Sequence, residues 1–296
     1  MSTKQWLELR LTLPASLQEE AGLFLTGWSG RGVVLEDESS PGPPAMAAVR
    51  AYVAAAEFTP TQRQELWEYL DKLVKLGYRV GEVQQRLIAE EDWEKAWQVH
   101  FKASRVAGRF VVKPPWEEYT PQADEVVLTI YPGMAFGTGR HPSTWLCLLA
   151  LEEMAQAWTA EASPQVLDVG TGTGILGLAA ARLGATVLAI DIDPEAVAAA
   201  RQNIGLNQLH DRVRAEDLPL SSIRQQFDLI LANLTAADLR TLAEALAGRL
   251  LPGGHLIISG FLDSDLTAME DLFRRQGLTA CRSHQKEAWT VLVLRR

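Results

Sequence analysis

Val166-Leu-Asp-Val-Gly-Thr-Gly-Thr-Gly174, continued by Ile-Leu-Gly-Leu-Ala-Ala-Ala-Arg-Leu-Gly184 and Thr186-Val-Leu-Ala-Ile-Asp191, decides the fold. Val166 to Val169 is a short apolar run carrying one carboxylate, the length of a buried strand. Gly170, Gly172 and Gly174 then supply a turn whose backbone can take positive φ and be approached closely. Ile175 to Leu183 is rich in Ala and Leu, with Gly184 just past it, the composition and stop signal of a helix packed on a sheet. Thr186 to Ile190 reads as a second buried strand with Asp191 at its carboxyl end. An acid about twenty residues past such glycines is placed to accept two ribose hydroxyls. The stretch therefore predicts an α/β sheet and a bound nucleoside.

Two patterns overlap in the turn and imply different cofactors. Gly172-x-Gly174-x-x-Gly177 satisfies the dinucleotide spacing and, with Asp191, suits a nicotinamide cofactor. Asp168-x-Gly170-x-Gly172-x-Gly174 resembles the first motif of the class I S-adenosylmethionine methyltransferases. There the turn passes under the methionine and ribose portions instead of cradling a pyrophosphate. Both readings keep the same strands, and the spacing leaves both open, beside a third in which the glycines only make a tight turn.

The remaining composition sets outer bounds. A chain of 296 residues, 47% hydrophobic and 22% charged, holds one large domain or two ordinary ones. The net charge of −9, from 28 Lys and Arg against 37 Asp and Glu, argues against a nucleic-acid backbone as main partner. It suits a basic protein substrate. Charged residues at Lys4, Glu8, Arg10, Glu19 and Glu20 leave no signal-peptide core, and no apolar run is long enough to span a bilayer, so no membrane partner and a cytoplasmic location are expected. Two cysteines, Cys147 and Cys281, make neither a disulfide framework nor a thiolate metal site.

Residues 1–90 lay out a small domain. Leu7, Leu9, Leu11 and Leu13 alternate with polar residues as in a half-buried strand ended by Pro14. Ala15 to Thr26 has helical spacing, broken by Gly27 to Gly32 before the strand Val33 to Glu36. A strand is expected within Ala47 to Phe58. Thr59-Pro-Thr starts a helix with Leu66, Leu70, Leu73 and Val74 on one face, and a last strand falls within Val80 to Ala89. The order β-α-β-β-α-β is that of a ferredoxin-like α+β domain. Residues 91–104 follow as a linker helix with Trp93, Trp97 and Phe101 in one aromatic stripe, which either docks it on a neighbouring domain or contacts the substrate.

Residues 105–296 carry the main sheet. Arg109 to Lys113 and Val126 to Tyr131 read as two strands around Pro114-Pro115-Trp116. Pro132-Gly-Met-Ala-Phe-Gly-Thr-Gly-Arg-His-Pro-Ser-Thr144 has too much glycine and proline for regular structure, so it is an ordered loop entering a helix at Pro142. That helix runs to about Trp158 with Leu146, Leu149, Ala150 and Met154 inward. Its first amides and the Thr144 hydroxyl are placed to bond a ligand. His141 reads as a helix-start residue with a satisfied ring ahead of a catalytic role. Asp193-Pro194-Glu195 starts the next helix. Strands follow at Arg212 to Ala215, Phe227 to Ala232, His255 to Ser259, Leu278 to Arg282 and Trp289 to Leu294, the last two antiparallel. Helices Asp238 to Leu250 and Leu266 to Gln276 lie between them, with a turn at Pro252-Gly-Gly254.

Six ordered motifs carry a resemblance: Asp92-Trp-Glu-Lys-Ala-Trp97, the 132–144 stretch, Asp168 to Leu176, Ile190-Asp-Ile-Asp-Pro194, Ala232-Asn233-Leu and Gly253-Gly-x-Leu-x-x-Ser-Gly260. Together they resemble the PrmA family, enzymes that methylate ribosomal protein L11. The resemblance implies a seven-stranded Rossmann-like methyltransferase domain behind a ferredoxin-like domain that recognises the substrate. It implies S-adenosylmethionine as donor and lysine and N-terminal amines of L11 as acceptors, in a monomer. Carried over, Phe136, Thr144, Asp168, Gly170, Gly172, Gly174, Asp191 and Asn233 are cofactor contacts, and Asp217 lies near the adenine. No metal is implied. Asn233 is the expected catalytic residue, its side-chain oxygen accepting hydrogen bonds from the acceptor amine. Departures stand at Arg140, Thr171, Thr173 and Leu234 to Asp238, the last putting the substrate in question. Alternatives are methylation of another protein or small amine, a nicotinamide-dependent oxidoreductase, and a non-catalytic cofactor-sensing or ribosome-assembly protein.

Overall fold

The computed structural model describes residues 5–29, 33–36, 46–89, 101–132, 135–137, 139, 141–159 and 163–296. The chain forms two compact units, Met1–Phe101 and Lys102–Arg296. Trp93, Trp97 and the expected linker helix lie outside the described residues, as does Arg140.

In the first unit β1 (Gln5–Pro14), β2 (Val34–Glu36), β3 (Met46–Ala54) and β4 (Gln84–Ala89) form an antiparallel sheet in the order β2-β3-β1-β4. With α1 (Gln18–Ser29) and α2 (Pro60–Lys75) this is the ferredoxin-like arrangement. The leucine alternation does its expected work. Leu7, Leu9, Leu11 and Leu13 are buried with Leu25, Leu66, Leu70 and Leu73, while Trp6 packs in a second cluster with Tyr52, Ile88 and Phe101. A capping box starts α2: the Thr59 hydroxyl accepts from Gln62 N–H (3.2 Å) and Gln62 Oε1 accepts from Thr59 N–H (3.3 Å), a device worth about 1 kcal/mol.

Two expectations here are corrected. Val74 is 55% exposed, because it sits one helical step, about 100°, past Leu73 and off the stripe. The first helix continues through Gly27 to Ser29, since Trp28 Nε1 donates to Gln62 O (2.9 Å) and fastens that last turn to α2.

The second unit opens with a three-stranded sheet, β5 (Ser104–Ala107), β6 (Phe110–Lys113) and β7 (Val126–Thr129), of which β5 was not foreseen. Its main sheet contains β8 (Gln165–Val169), β9 (Thr186–Asp191), β10 (Val213–Asp217), β11 (Phe227–Asn233), β12 (Leu250–Leu262), β13 (Thr279–Lys286) and β14 (Trp289–Arg295). The order is β10-β9-β8-β11-β12-β14-β13, parallel except for β14, which runs antiparallel to both neighbours. The helices α3 (Pro142–Ala155), α4 (Ile175–Arg182) and α5 (Pro194–Leu206) share one buried cluster. The helices α6 (Ala236–Gly248) and α7 (Leu266–Arg275) share the other, on the opposite face.

The third helix departs from its expected single inner face. It buries Leu146, Cys147, Leu148, Ala150 and Leu151, while Leu149 and Met154 are half-buried and the helix ends at Ala155. Contacts with β5, β12 and β14 leave it only a narrow half-exposed stripe, Trp145, Leu149, Glu152 and Glu153, so Leu149 falls on the outer side and not the inner face. The Pro252-Gly-Gly254 segment is part of β12, where the pairing register with β11 jumps from Phe227–Leu250 to Leu229–His255, a bulge in the strand. Among the described residues no helix is long and apolar enough to cross a membrane.

Candidate active site

The first strand of the main sheet, β8, pairs with β9 on one side and β11 on the other. Chain order reverses there, and in open α/β sheets the crevice at the strands' carboxyl ends is where ligands bind. Gly170 (φ +67°), Gly172 (φ +54°) and Gly174 (φ +84°) make the turn off β8, and Gly174 starts α4. A side chain at Gly172 would place its Cβ 2.3 Å from the Phe136 carbonyl oxygen; one at Gly170 would meet Leu234 at 2.4 Å. The close approach that these glycines allow is thus to neighbouring loops of the chain itself.

Beneath the turn the polar groups are committed. Asp168, expected among the cofactor contacts, is 1% exposed. Its Oδ2 accepts from Thr171 Oγ1 (2.6 Å) and Gly177 N–H (3.0 Å), so the carboxylate holds the turn to the helix from below. Burial pushes its pKa up to about 6, against the lowering effect of those two hydrogen bonds. At Gly177, third glycine of the dinucleotide spacing, a Cβ would lie 3.2 Å from both Asp168 Oδ2 and Val187 Cγ1, a tight fit. Thr173 joins the turn to the preceding loop, with its N–H donating to Phe136 O (2.9 Å) and its hydroxyl to Gly137 O (2.6 Å). Both threonine departures therefore carry hydrogen bonds of the turn.

On the β9 side, Asp191 Oδ2 accepts from Gly172 N–H (3.0 Å) and Oδ1 from Asp193 N–H (3.1 Å). These bonds fix a half-buried carboxylate at the mouth of the crevice. Asp217, exposed at the end of β10, is its register partner. Between Asp191 and Asp193 stands Ile192, 78% exposed. Sequence reasoning passed over it, although an isoleucine between two acids just past a strand end was the available signal. An apolar face beside a carboxylate at a strand end has the chemistry to hold an adenosine.

On the β11 side, Asn233 ends the strand half-buried, and its Nδ2 donates to the hydroxyl of buried Thr144 (3.3 Å). Gly260 (φ +90°) leaves room for it: a Cβ there would fall 2.1 Å from Leu234 O and 3.1 Å from Asn233 Oδ1. The polar departures after Asn233 have a local use. Thr235 caps α6 by accepting from Asp238 N–H (3.2 Å) and donating to its carboxylate (2.6 Å). His141 starts α3, Nδ1 accepting from Ser143 N–H (3.2 Å), with its ring edge-on to Phe136 and Trp289. It is the helix-start residue with an engaged ring. Phe136 is half exposed on the loop that contacts Gly172.

The structure thus brings Gly170, Gly172, Gly174, Phe136, Asp191, Thr144 and Asn233 to one end of the sheet, and Asp168 to the layer below. A carboxylate and an exposed apolar residue stand on one side of β8, with a carboxamide on the other, a donor set that fits an adenosyl cofactor. Seven strands in this order with that site define a class I, Rossmann-like methyltransferase. The chain belongs to the PrmA family, ribosomal protein L11 methyltransferase, which it matches over residues 5–296. It is an S-adenosylmethionine-dependent methyltransferase.

Relatives agree along the whole chain. It is 39% identical to the ribosomal protein L11 methyltransferase of Pelobacter propionicus, over 99% of this chain and 98% of that protein. Against the one from Geobacter sulfurreducens the figures are 38%, 99% and 98%. The crystal structure of a ribosomal protein L11 methylase from Lactobacillus delbrueckii subsp. bulgaricus superposes with a TM-score of 0.60 at 31% identity, covering 66% of this chain and 98% of that one. Family membership decides between the two glycine patterns in favour of the methyltransferase.

Proposed function

We propose that this chain transfers methyl groups from S-adenosylmethionine to lysine side-chain and N-terminal amines of ribosomal protein L11, with Asn233 holding the acceptor. The observation that carries this reading is the placement of Asp191 and Asn233 on the two neighbours of β8. One grips the ribose, and the other stands where the methyl group is delivered. The cofactor, when bound, supplies an activated methyl on a sulfonium.

An acceptor amine reacts only in its neutral form, and a free lysine has a pKa of about 10.4. Proton loss is favoured by desolvation in the crevice and by a nearby positive charge. Asn233 spends Nδ2 on Thr144, which leaves the carboxamide oxygen to accept from the amine and aim its lone pair. Gly260 keeps that oxygen accessible. The site's contribution is alignment, the main help an in-line displacement needs. The first unit has no cofactor motif, and we assign residues 1–90 to substrate recognition, residues 91–104 to the linker and 105–296 to catalysis.

Intact mass of unmethylated L11 after incubation with the protein and S-adenosylmethionine tests the reading. Stepwise additions of single methyl masses are expected, slowed about 100-fold in Asn233→Ala. Unchanged turnover in that variant would remove Asn233 from the acceptor role. No additions in the native protein, with the cofactor bound, would move the substrate to another protein or a small amine.

A further inference from the structure

Asn203 lies in α5, outside every motif of the family resemblance, yet it is 0% exposed and bonds to two separate loops. Its Oδ1 accepts from Tyr131 N–H (2.8 Å), at the start of the 132–141 loop, and its Nδ2 donates to Thr173 O (2.8 Å), in the glycine turn. Thr173 is engaged at every polar atom: its oxygen by Asn203, its N–H by Phe136 O and its hydroxyl by Gly137 O. One side chain and one threonine thereby fasten the loop, at its start and at its middle, to the turn.

We propose that Asn203 is a positioning residue for cofactor binding, acting through Thr173 and Tyr131 to hold Tyr131, Phe136 and Gly137 against the glycine turn as one preformed wall. A buried carboxamide bonded at both ends fixes the geometry of its partners, since an apolar residue of similar size would pack there and leave two backbone groups unsatisfied. The wall matters because the loop's Phe136 carbonyl sits against Gly172, whose N–H in turn orients Asp191. Loosening the loop therefore reaches the ribose acid through two contacts. The inference rests on the methyltransferase reading only for the identity of the ligand.

Asn207, which caps the end of α5 one turn further on, provides the comparison. It is also buried and clamps Thr129 on both sides, Oδ1 accepting from its N–H (2.9 Å) and Nδ2 donating to its carbonyl (2.6 Å); the Nδ2 also donates to Asn203 O (2.8 Å), so the two variants share that main-chain neighbour and differ in the bond to the turn. Asn203→Ala and Asn207→Ala are both expected to lower the unfolding midpoint. Calorimetric titration with S-adenosylmethionine should separate them, with affinity at least tenfold weaker in Asn203→Ala and within about threefold of native in Asn207→Ala. Equal weakening in the two would make Asn203 a packing residue and overturn the proposal.

Should Asn203→Ala fail to fold, Asn203→Asp carries the test: it keeps the acceptor for Tyr131 N–H and loses the donor to Thr173 O, so affinity should fall at least tenfold, and native-like binding overturns the proposal. Amide exchange without ligand gives a readout independent of the cofactor. Tyr131 and Thr173 should lose protection in Asn203→Ala, and unchanged protection would sink the clamp. Absence of binding by the native protein would instead count against the cofactor.

Discussion

The two sides of the crevice are built differently. On the turn side, Asp168, Thr171, Thr173, Gly177 and Asn203 commit their polar atoms to one another at 2.6–3.0 Å, nearly all of them buried. On the acceptor side, Asn233 makes a single 3.3 Å bond to Thr144, and Leu234 to Asp238 are half-buried or exposed. The first side is a finished mould, in which order is established before the ligand arrives. The second keeps hydrogen-bonding capacity for a group that the protein alone does not provide. A small, invariant cofactor rewards the former, and a protein side chain entering from outside requires the latter.

Damage to the mould should cost most. Gly172→Ala adds a methyl group 2.3 Å from the Phe136 carbonyl at a residue held at φ +54°. Loop and turn must part, and left-handed backbone in a non-glycine residue adds about 1 kcal/mol or more. Loss of cofactor affinity of about 100-fold is expected by calorimetry, corresponding to about 3 kcal/mol. Native-like affinity in this variant would show that the turn side is soft, and the contrast between the sides would vanish.

The acceptor side is sharpened by Thr144→Val, which preserves shape and removes the partner of Asn233 Nδ2. Losing one hydrogen bond of about 1–1.5 kcal/mol should lower kcat about tenfold. Cofactor affinity should stay within about threefold, because the hydroxyl then serves the carboxamide. A larger fall in affinity than in kcat would return Thr144 to the cofactor contacts that the family resemblance implies.

The same contrast explains what could be read in advance. The β8-turn-α4-β9 unit was legible because strand, glycines, helix and acid each leave a local signature, and Asp191 and Asn233 sit at strand ends that apolar runs delimit. For Asp168 the motif gives the position, while packing adds that its carboxylate accepts from Gly177 and Thr171 beneath the turn. Asn203 and Ile192 were missed for opposite reasons. One is a polar residue whose partners lie 72 and 30 positions away, and the other an apolar residue that looks like the end of its strand until its exposure is seen. The face of the third helix was hard to read because its half-exposed stripe itself carries apolar residues, Trp145 and Leu149.

The smallest expected effect is on stability, and it tests how closed the mould is. Asp168 has a folded-state pKa of about 6, above the unfolded carboxyl value of about 3.9. Between those values the native state holds more protons than the unfolded state, so stability rises as pH falls, opposite to a salt-bridged acid. From pH 7 to pH 5 this one group should add about 1 kcal/mol. Other carboxylates titrate in the same window, so the test is the difference between native protein and Asp168→Asn in urea unfolding at the two pH values. Whatever the asparagine costs in absolute stability, its gain from pH 7 to pH 5 should fall short of the native gain by about 1 kcal/mol. Equal gains would mean that water reaches the carboxylate and that the layer under the turn opens in solution. The turn side would then resemble the acceptor side, with order completed only when the ligand binds.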